Sequence, residues 1–342
     1  SPAMRIPTNA ATWLSLLSCV QVSRAQGLSA TANFTTWWNA TEYPNEQHAN
    51  VTKYMAEGLQ IAGKDLYQHF ANRCLRAQVY PTLASGAQTL GFVKPHRPFD
   101  SVFFVGNGFV ASWAVDTGAG LILIDALDNP DEAREVILPG LAHFGYKGSD
   151  IAAIVITHEH ADHYGGARYL QDTFGTPVYA LEACWHGMEV DPIKPAGLDI
   201  PKRNMTLVDG QDLTIGNTTI RVVATPGHTA GTLSLFLPVY DQGVRHVAGL
   251  YGGGGIPKDA AAKEQQLSSF AKFAQAAPEV GADVLMSNHP SQDDALDNFD
   301  ILDHRSSGNP FIIGTEAYVR YLQAMAMCVR VQAARLGDNL SV

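Results

Sequence analysis

IAAIVITHEHADHYGG (residues 151–166) is where the fold and the chemistry of this chain meet. Its first seven residues, IAAIVIT, show no polar alternation, the pattern of a strand covered on both faces of its sheet. His158 and His160 follow at alternate positions, so in extended backbone both project to one side. Asp162 and His163 come next, where Gly165-Gly166 open a predicted helix over 165–175. A strand end that turns into a helix start can aim several side chains at one point while its backbone stays hydrogen-bonded. Imidazole and carboxylate together suit zinc, iron or manganese. An exposed polar loop would tolerate the same residues, but it gives no reason for alternating histidines directly after a buried strand.

One loop cannot complete a catalytic metal site, so further ligands are expected at other strand ends. TPGHTAG (225–231) delivers His228 through a Pro-Gly turn, and SNHP (287–290) delivers His289. His48, His69, His96, His143, His186, His246 and His304 lack that setting and are assigned to surface or core. His186, beside Trp185, is the one to check as pocket lining.

Around these motifs the texture is regular. Short apolar runs and Gly turns from residue 99, including LILIDAL (121–127), predict strands, and DEAREVILPGLAHFG (131–145) predicts a helix. A strand at 177–180 follows. Beyond a Pro-, Asp- and Lys-rich linker (191–203), strands are predicted at 206–208, 213–215, 219–224, 232–237, 245–250 and 282–288, and helices at 260–277 and 315–336. Two β-rich halves, each ending in helices, predict stacked sheets with helices outside, an α/β class.

The 342 residues are 46% hydrophobic and only 16% charged, with a formal net charge of −10. The length supports a large core in one domain or two intimate halves. So negative a surface repels phosphate backbones, and no basic cluster offsets it, so no nucleic-acid partner is expected. Beyond the N-terminus no segment is long and apolar enough to span a bilayer. The partner expected is a small-molecule substrate; nothing fixes the oligomeric state.

Ser1-Pro2-Ala3 read as a cloning remnant before MRIPTNAATWLSLLSCVQVSRAQG (4–27), which has the layout of a secretory signal: Arg5, a mainly apolar stretch from Ala10 to Val20, and Ser23-Arg24-Ala25 as a small-x-small cleavage site. Six N-x-S/T sequons, at Asn33, Asn39, Asn50, Asn204, Asn217 and Asn339, point the same way. The expectation is a eukaryotic secreted glycoprotein; a retained N-terminus would make it cytoplasmic. The expected organisation is a leader over 1–26, a helical extension over 27–96 with Trp37-Trp38 as core anchors or a lid, and a catalytic domain over 97–342. Cys19 would leave with the leader. Cys74, Cys184 and Cys328 then allow at most one disulfide and leave one free thiol.

THEHADHYGG, TPGHTAG and SNHP, in this order and spacing, resemble the metallo-β-lactamase superfamily across about 97–336. The resemblance implies a four-layer αβ/βα sandwich with metals at one edge between the sheets. Asp125 of LILIDAL would support the ligand loop. Many members carry an acid or a Cys after the strand that follows the third-histidine motif. Here HVAGLY runs into GGGGIPK (252–258) instead. That is similar to the third β-lactamase subclass, in which His158, His160 and His228 would bind one zinc and Asp162, His163 and His289 a second. The implied reaction is attack of a metal-bridging hydroxide on a lactam, lactone or ester carbonyl, with Asp162 orienting the hydroxide and moving a proton. Tyr164, Trp185, Gly253, Gly254 and Lys258 are candidate pocket walls, Lys258 as an anion anchor. Two departures rank β-lactams as minor substrates. Glycines replace the polar residues that help hold a β-lactam carboxylate, and Ala282 replaces a disulfide Cys. A thioesterase of the glyoxalase II type and a lyase or isomerase of secondary metabolism are the alternatives, the first weakened by the missing bridging Asp.

Overall fold

A computed structural model describes residues 40–81, 93–190 and 194–341. The signal-like segment, Trp37-Trp38, and the sequons at Asn33 and Asn39 lie outside the described residues. Two sheets form the body. The first runs in order β1 (His96–Phe99), β2 (Val102–Phe104), β3 (Trp113–Asp116), β4 (Leu121–Ile124), β5 (Ile151–Val155), β6 (Val178–Leu181) and β7 (Met205–Leu207). The second runs in order β12 (Val284–Ser287), β11 (Val244–Tyr251), β10 (Leu233–Asp241), β9 (Thr218–Ala224) and β8 (Asp212–Ile215). This is the mixed α/β, two-sheet architecture expected.

The apolar runs explain the layering. All four residues of β4 are fully buried, as a strand flanked by sheet on both edges and covered on both faces requires. β4, β5, β6 and β7 pair in parallel, so their C-terminal ends line up on one edge. Trp113 of β3 donates its indole N–H to the Ser287 carbonyl of β12 (2.8 Å), joining the sheets through the core.

Helices cover the outside: α1 (His48–Ala62), α2 (Ala167–Phe174), α3 (Glu182–Val190), α4 (Ala260–Val280), α5 (Ala295–His304) and α6 (Thr315–Leu336). Asp259 caps α4, its carboxylate accepting from the Ala262 N–H (3.0 Å), and Gly281, at φ 71°, ends it in left-handed backbone. The predicted helix at 131–145 is three pieces, Pro130–Glu132, a π-helical Ala133–Ile137 and Leu138–His143. Pro139 opens the last piece, where a missing N–H costs least. The linker at 191–203 does not divide the sheets, because β7 beyond it pairs with β6 (Tyr179 opposite Met205). Residue pattern alone does not say which sheet edge a three-residue strand joins.

Before β1, Tyr67–Phe70 runs into a π-helical Ala71–Arg76 and then Ala77–Val79. Cys74 and Cys328 form a disulfide that ties this segment to α6, and Cys184 is a buried free thiol. One bridge and one thiol match the arithmetic above. Arg335 adds hydrogen bonds to the Cys74 carbonyl (3.3 Å) and Gln78 Oε1 (3.1 Å), and Gln78 Nε2 donates to the Cys328 carbonyl (2.8 Å). Among the described residues no helix is long and apolar enough to cross a membrane.

The bridge closes a loop of 254 residues, so it constrains the unfolded chain strongly. Replacing both Cys74 and Cys328 by Ala should cost about 2–5 kcal/mol. Denaturant unfolding, with the midpoint compared with wild type, checks this; an unchanged midpoint refutes it.

Candidate metal centre

β4 and β5 end side by side, and each delivers part of the site. Asp125, the first residue after β4, is fully buried and has φ 61°, a left-handed conformation that costs a non-glycine residue. The turn aims its carboxylate at the loop after β5. Oδ1 accepts from the Thr157 N–H (2.8 Å), while Oδ2 accepts from Thr157 Oγ1 (2.8 Å) and from His163 Nδ1 (2.7 Å). The two ends of the HEHADH loop are therefore gripped by one acid.

All six predicted ligands converge. His158 Nε2 lies 3.2 Å from His160 Nδ1, and His228 Nε2 lies 3.2 Å and 3.1 Å from these two atoms. His163 Nε2 lies 3.4 Å from Asp162 Oδ2 and 3.2 Å from His289 Nε2, which is 3.9 Å from Asp162 Oδ2. Zinc bound at about 2.0–2.1 Å in a tetrahedron needs ligand atoms about 3.3 Å apart. The first triangle has that size, and the second has two edges near it and one longer, so both could hold a metal ion.

The outer ring nitrogens are pinned by oxygen. His228 Nδ1 faces the Gly255 carbonyl (2.9 Å), His289 Nδ1 the Phe109 carbonyl (2.8 Å), and His158 Nδ1 the Thr157 hydroxyl (3.2 Å). Such contacts fix the tautomer and turn Nε2 inward. Burial, then the neighbouring imidazoles, pushes His158 well below its ordinary range. Burial and His160 likewise push His228 down to about 3, and burial and His163 push His289 down to about 4, despite Asp162. Their lone pairs are free at neutral pH. His163 differs: burial opposes its charge, but Asp162 and Asp125 outweigh it and raise it to about 10. Burial also opposes the charge on Asp162, yet His163 and His289 hold it well below the usual carboxylate range.

Other supporting residues were not singled out in the sequence. Glu159, between two ligands, accepts from Thr229 Oγ1 (2.7 Å) and the Gly231 N–H (3.1 Å), bolting the HEHADH loop to the TPGHTAG loop. Asn288 donates to Thr157 Oγ1 (2.9 Å) and the Gly252 carbonyl (2.7 Å). Asp128, raised to about 7 by burial and by Glu132 and Asp162, is a further carboxyl near Asp162. The glycine run has a steric basis. A Cβ at Gly253 would lie 2.8 Å from His228 Cβ, and one at Gly255 would strike the His228 ring.

Several proposed pocket walls are corrected. Tyr164 is fully buried, and Trp185 is 2% exposed with its indole N–H donating to the Met205 carbonyl (3.1 Å). Both sit on the buried faces of short helices that pack against the core. Lys258 is exposed and does not line the neighbouring cavity, since α4 begins just beyond it and turns it to solvent. Of the glycines, Gly254 lines that cavity and buried Gly253 supports its floor, its carbonyl accepting from Gln266 Nε2 (2.9 Å). His186 is exposed, whereas His69, assigned above to surface or core, lines the cavity.

A family model described as the metallo-beta-lactamase superfamily matches residues 105–241. The subclass B3 metallo-beta-lactamase of Bradyrhizobium japonicum is 27% identical, with a TM-score of 0.59 over 71% of this chain and 94% of that one. The native metallo-beta-lactamase from Legionella gormanii superposes with a TM-score of 0.60 at 21% identity, over 70% of this chain and 94% of that one. A hydroxyacylglutathione hydrolase of Rhizobium etli is 35% identical over 106 residues, 31% of this chain and 35% of the relative. One from Brucella anthropi is 33% identical over 116 residues, 34% of this chain and 38% of the relative. The chain thus spans about a third of the length of the curated relatives it matches.

The unequal histidines predict a proton count. At pH 8, His158, His228 and His289 are already neutral, while His163, raised to about 10, still carries a proton on the nitrogen a metal would take. Zinc loading of metal-free protein in weak buffer should therefore release about one proton from the Asp162–His163–His289 triangle. The release should shrink as pH approaches 10, and zinc affinity there should rise with pH. A pH-stat titration measures it; no release at pH 8 contradicts the assignment.

Proposed function

We propose that this chain is a hydrolase that takes two zinc ions and opens an amide or ester carbonyl of a small molecule, with lactams and lactones ahead of β-lactam antibiotics. The observation that carries the reading is the pair of neighbouring triangles, His158–His160–His228 with edges of zinc-shell size and Asp162–His163–His289 with one longer edge. Bound there, zinc supplies a water nucleophile activated near neutral pH and a Lewis acid for the carbonyl. The protein supplies the rest. Asp162, ionised and facing His163 and His289, orients the attacking water and takes its proton for delivery to the leaving group. Asp125 and the pinned outer nitrogens keep the histidines from turning away.

Subclass B3 character is supported by the likeness to the Bradyrhizobium japonicum enzyme and by Gly252–Gly255 standing where a bridging acid or thiol would otherwise project. Thioester hydrolysis is a second reading, favoured by the likeness to hydroxyacylglutathione hydrolases and disfavoured by the same glycines. Passage through an oxidising secretory route is supported by the Cys74–Cys328 bridge and by exposed Asn50, Asn204, Asn217 and Asn339.

Zinc-loaded protein should contain two zinc ions per chain and hydrolyse a member of a panel of lactams, lactones, esters and thioesters. His160→Ala should abolish turnover, and Asp162→Asn should slow it by about 10²-fold or more with the circular dichroism spectrum unchanged. One metal per chain, or wild-type rates in either variant, would sink the proposal.

A further inference from the structure

Beside the candidate metal centre lies a cavity of about 250 Å³. One wall comes from the metal loops: Gly254 next to the residue that pins His228, and Pro290 and Gln292 just after His289. The opposite wall comes from the π-helical segment before β1 and carries Arg73. Phe270 and Met325 add apolar surface, and Tyr251 and Tyr321 aromatic surface.

Arg73 is out of place energetically. Its Nη2 is buried and has no hydrogen-bond partner. Among the described residues no carboxylate pairs with it: Asp294 faces His69 (3.4 Å), and Asp297 accepts from Gln68 Nε2 (3.2 Å). Arg76, the other guanidinium of this wall, is committed to Asn72 Oδ1 (2.8 Å). A buried cation without a partner is strongly disfavoured, and a planar guanidinium matches a carboxylate in two-point contact. The Tyr251 hydroxyl, in the same cavity, is a second buried donor without a partner.

The position of Arg73 is also fixed and directed. The adjacent Cys74 is bridged to α6, so the segment cannot swing away without breaking a covalent bond. π-helical turns are concentrated at functional sites.

We propose that Arg73, with the Tyr251 hydroxyl, anchors a carboxylate of the substrate, so that the enzyme prefers anionic acyl compounds whose carboxylate enters this cavity while the scissile carbonyl meets the metal centre. The proposal rests on the hydrolase reading and narrows its substrate class. It moves the anion anchor from Lys258 to a residue of the N-terminal extension.

Matched free acids and methyl esters of a lactam, a lactone and a thioester test it in zinc-loaded protein. Wild type should favour the free acid of its substrate in kcat/KM by about 30-fold or more, the size expected for truncating one partner of a buried charged pair. Arg73→Gln should reduce that preference to within a few-fold, at unchanged zinc content. Arg73→Lys, which keeps the charge without the fork, should fall between them. Wild type without the preference, or Arg73→Gln retaining it, overturns the proposal; if Arg73→Gln does not fold, full wild-type discrimination in Arg73→Lys does so. If neither acids nor esters are hydrolysed, the hydrolase reading fails, and calorimetric binding of hippurate against its methyl ester decides the anchor alone. Hippurate should bind wild type more tightly than the ester and lose at least tenfold affinity in Arg73→Gln. Equal hippurate affinity in wild type and Arg73→Gln would show the carboxylate to be held elsewhere.

Discussion

Asp125 grips both ends of the ligand loop with one buried carboxylate, through the Thr157 backbone N–H and hydroxyl at the start and His163 Nδ1 at the end. The rest of the site depends on this. Between those anchors the loop must carry His158, His160 and Asp162, and its span is set by where Asp125 stands at the end of β4. The left-handed backbone of Asp125 is the cost of pointing an acid along the sheet edge instead of into the core. Removing the charge while keeping the shape, as in Asp125→Asn, would leave His163 Nδ1 facing an amide and would loosen the tautomer that exposes Nε2.

The same acid makes the two triangles chemically unequal. In the first, burial and then the neighbouring imidazoles keep His158 and His228 neutral. In the second, His163 lies between Asp125 and Asp162 and holds a proton until a cation replaces it. A metal in the second triangle thus competes with a proton, and one in the first does so much less. The glycines complete this division. Side chains at 253 and 255 would run into His228, so this arrangement has no room there for a bridging residue that would make the two positions alike.

The strands, the two-sheet class and the six ligand-type residues were legible because each rests on local pattern: unbroken apolar runs, alternation at a strand end, Pro and Gly at turns. Residues whose role depends on what packs over them were not. Glu159, which stands between two ligands in the motif, ties two loops together, and nothing in sequence distance links it to Thr229 and Gly231. Tyr164 and Trp185 lie on short helices that turn them into the core, which their positions in sequence do not reveal. Lys258 stands next to the glycine run in sequence, whereas Arg73 lies in the cavity wall from nearly two hundred residues away.

On the proposed reading, that distance marks what the N-terminal extension would add. A metal centre built at strand ends is rigid but shallow, and its ligands do not choose among carbonyl compounds. Selectivity needs a wall facing the metals. Here that wall comes from a separate stretch of chain, pinned by a disulfide one residue from its only unpartnered guanidinium among the described residues. A pinned cation loses little freedom when an anion arrives, so its attraction is spent on orientation instead of ordering. On the proposed reading the sheet edge would carry the chemistry while a covalently attached segment would select the molecule on which it acts.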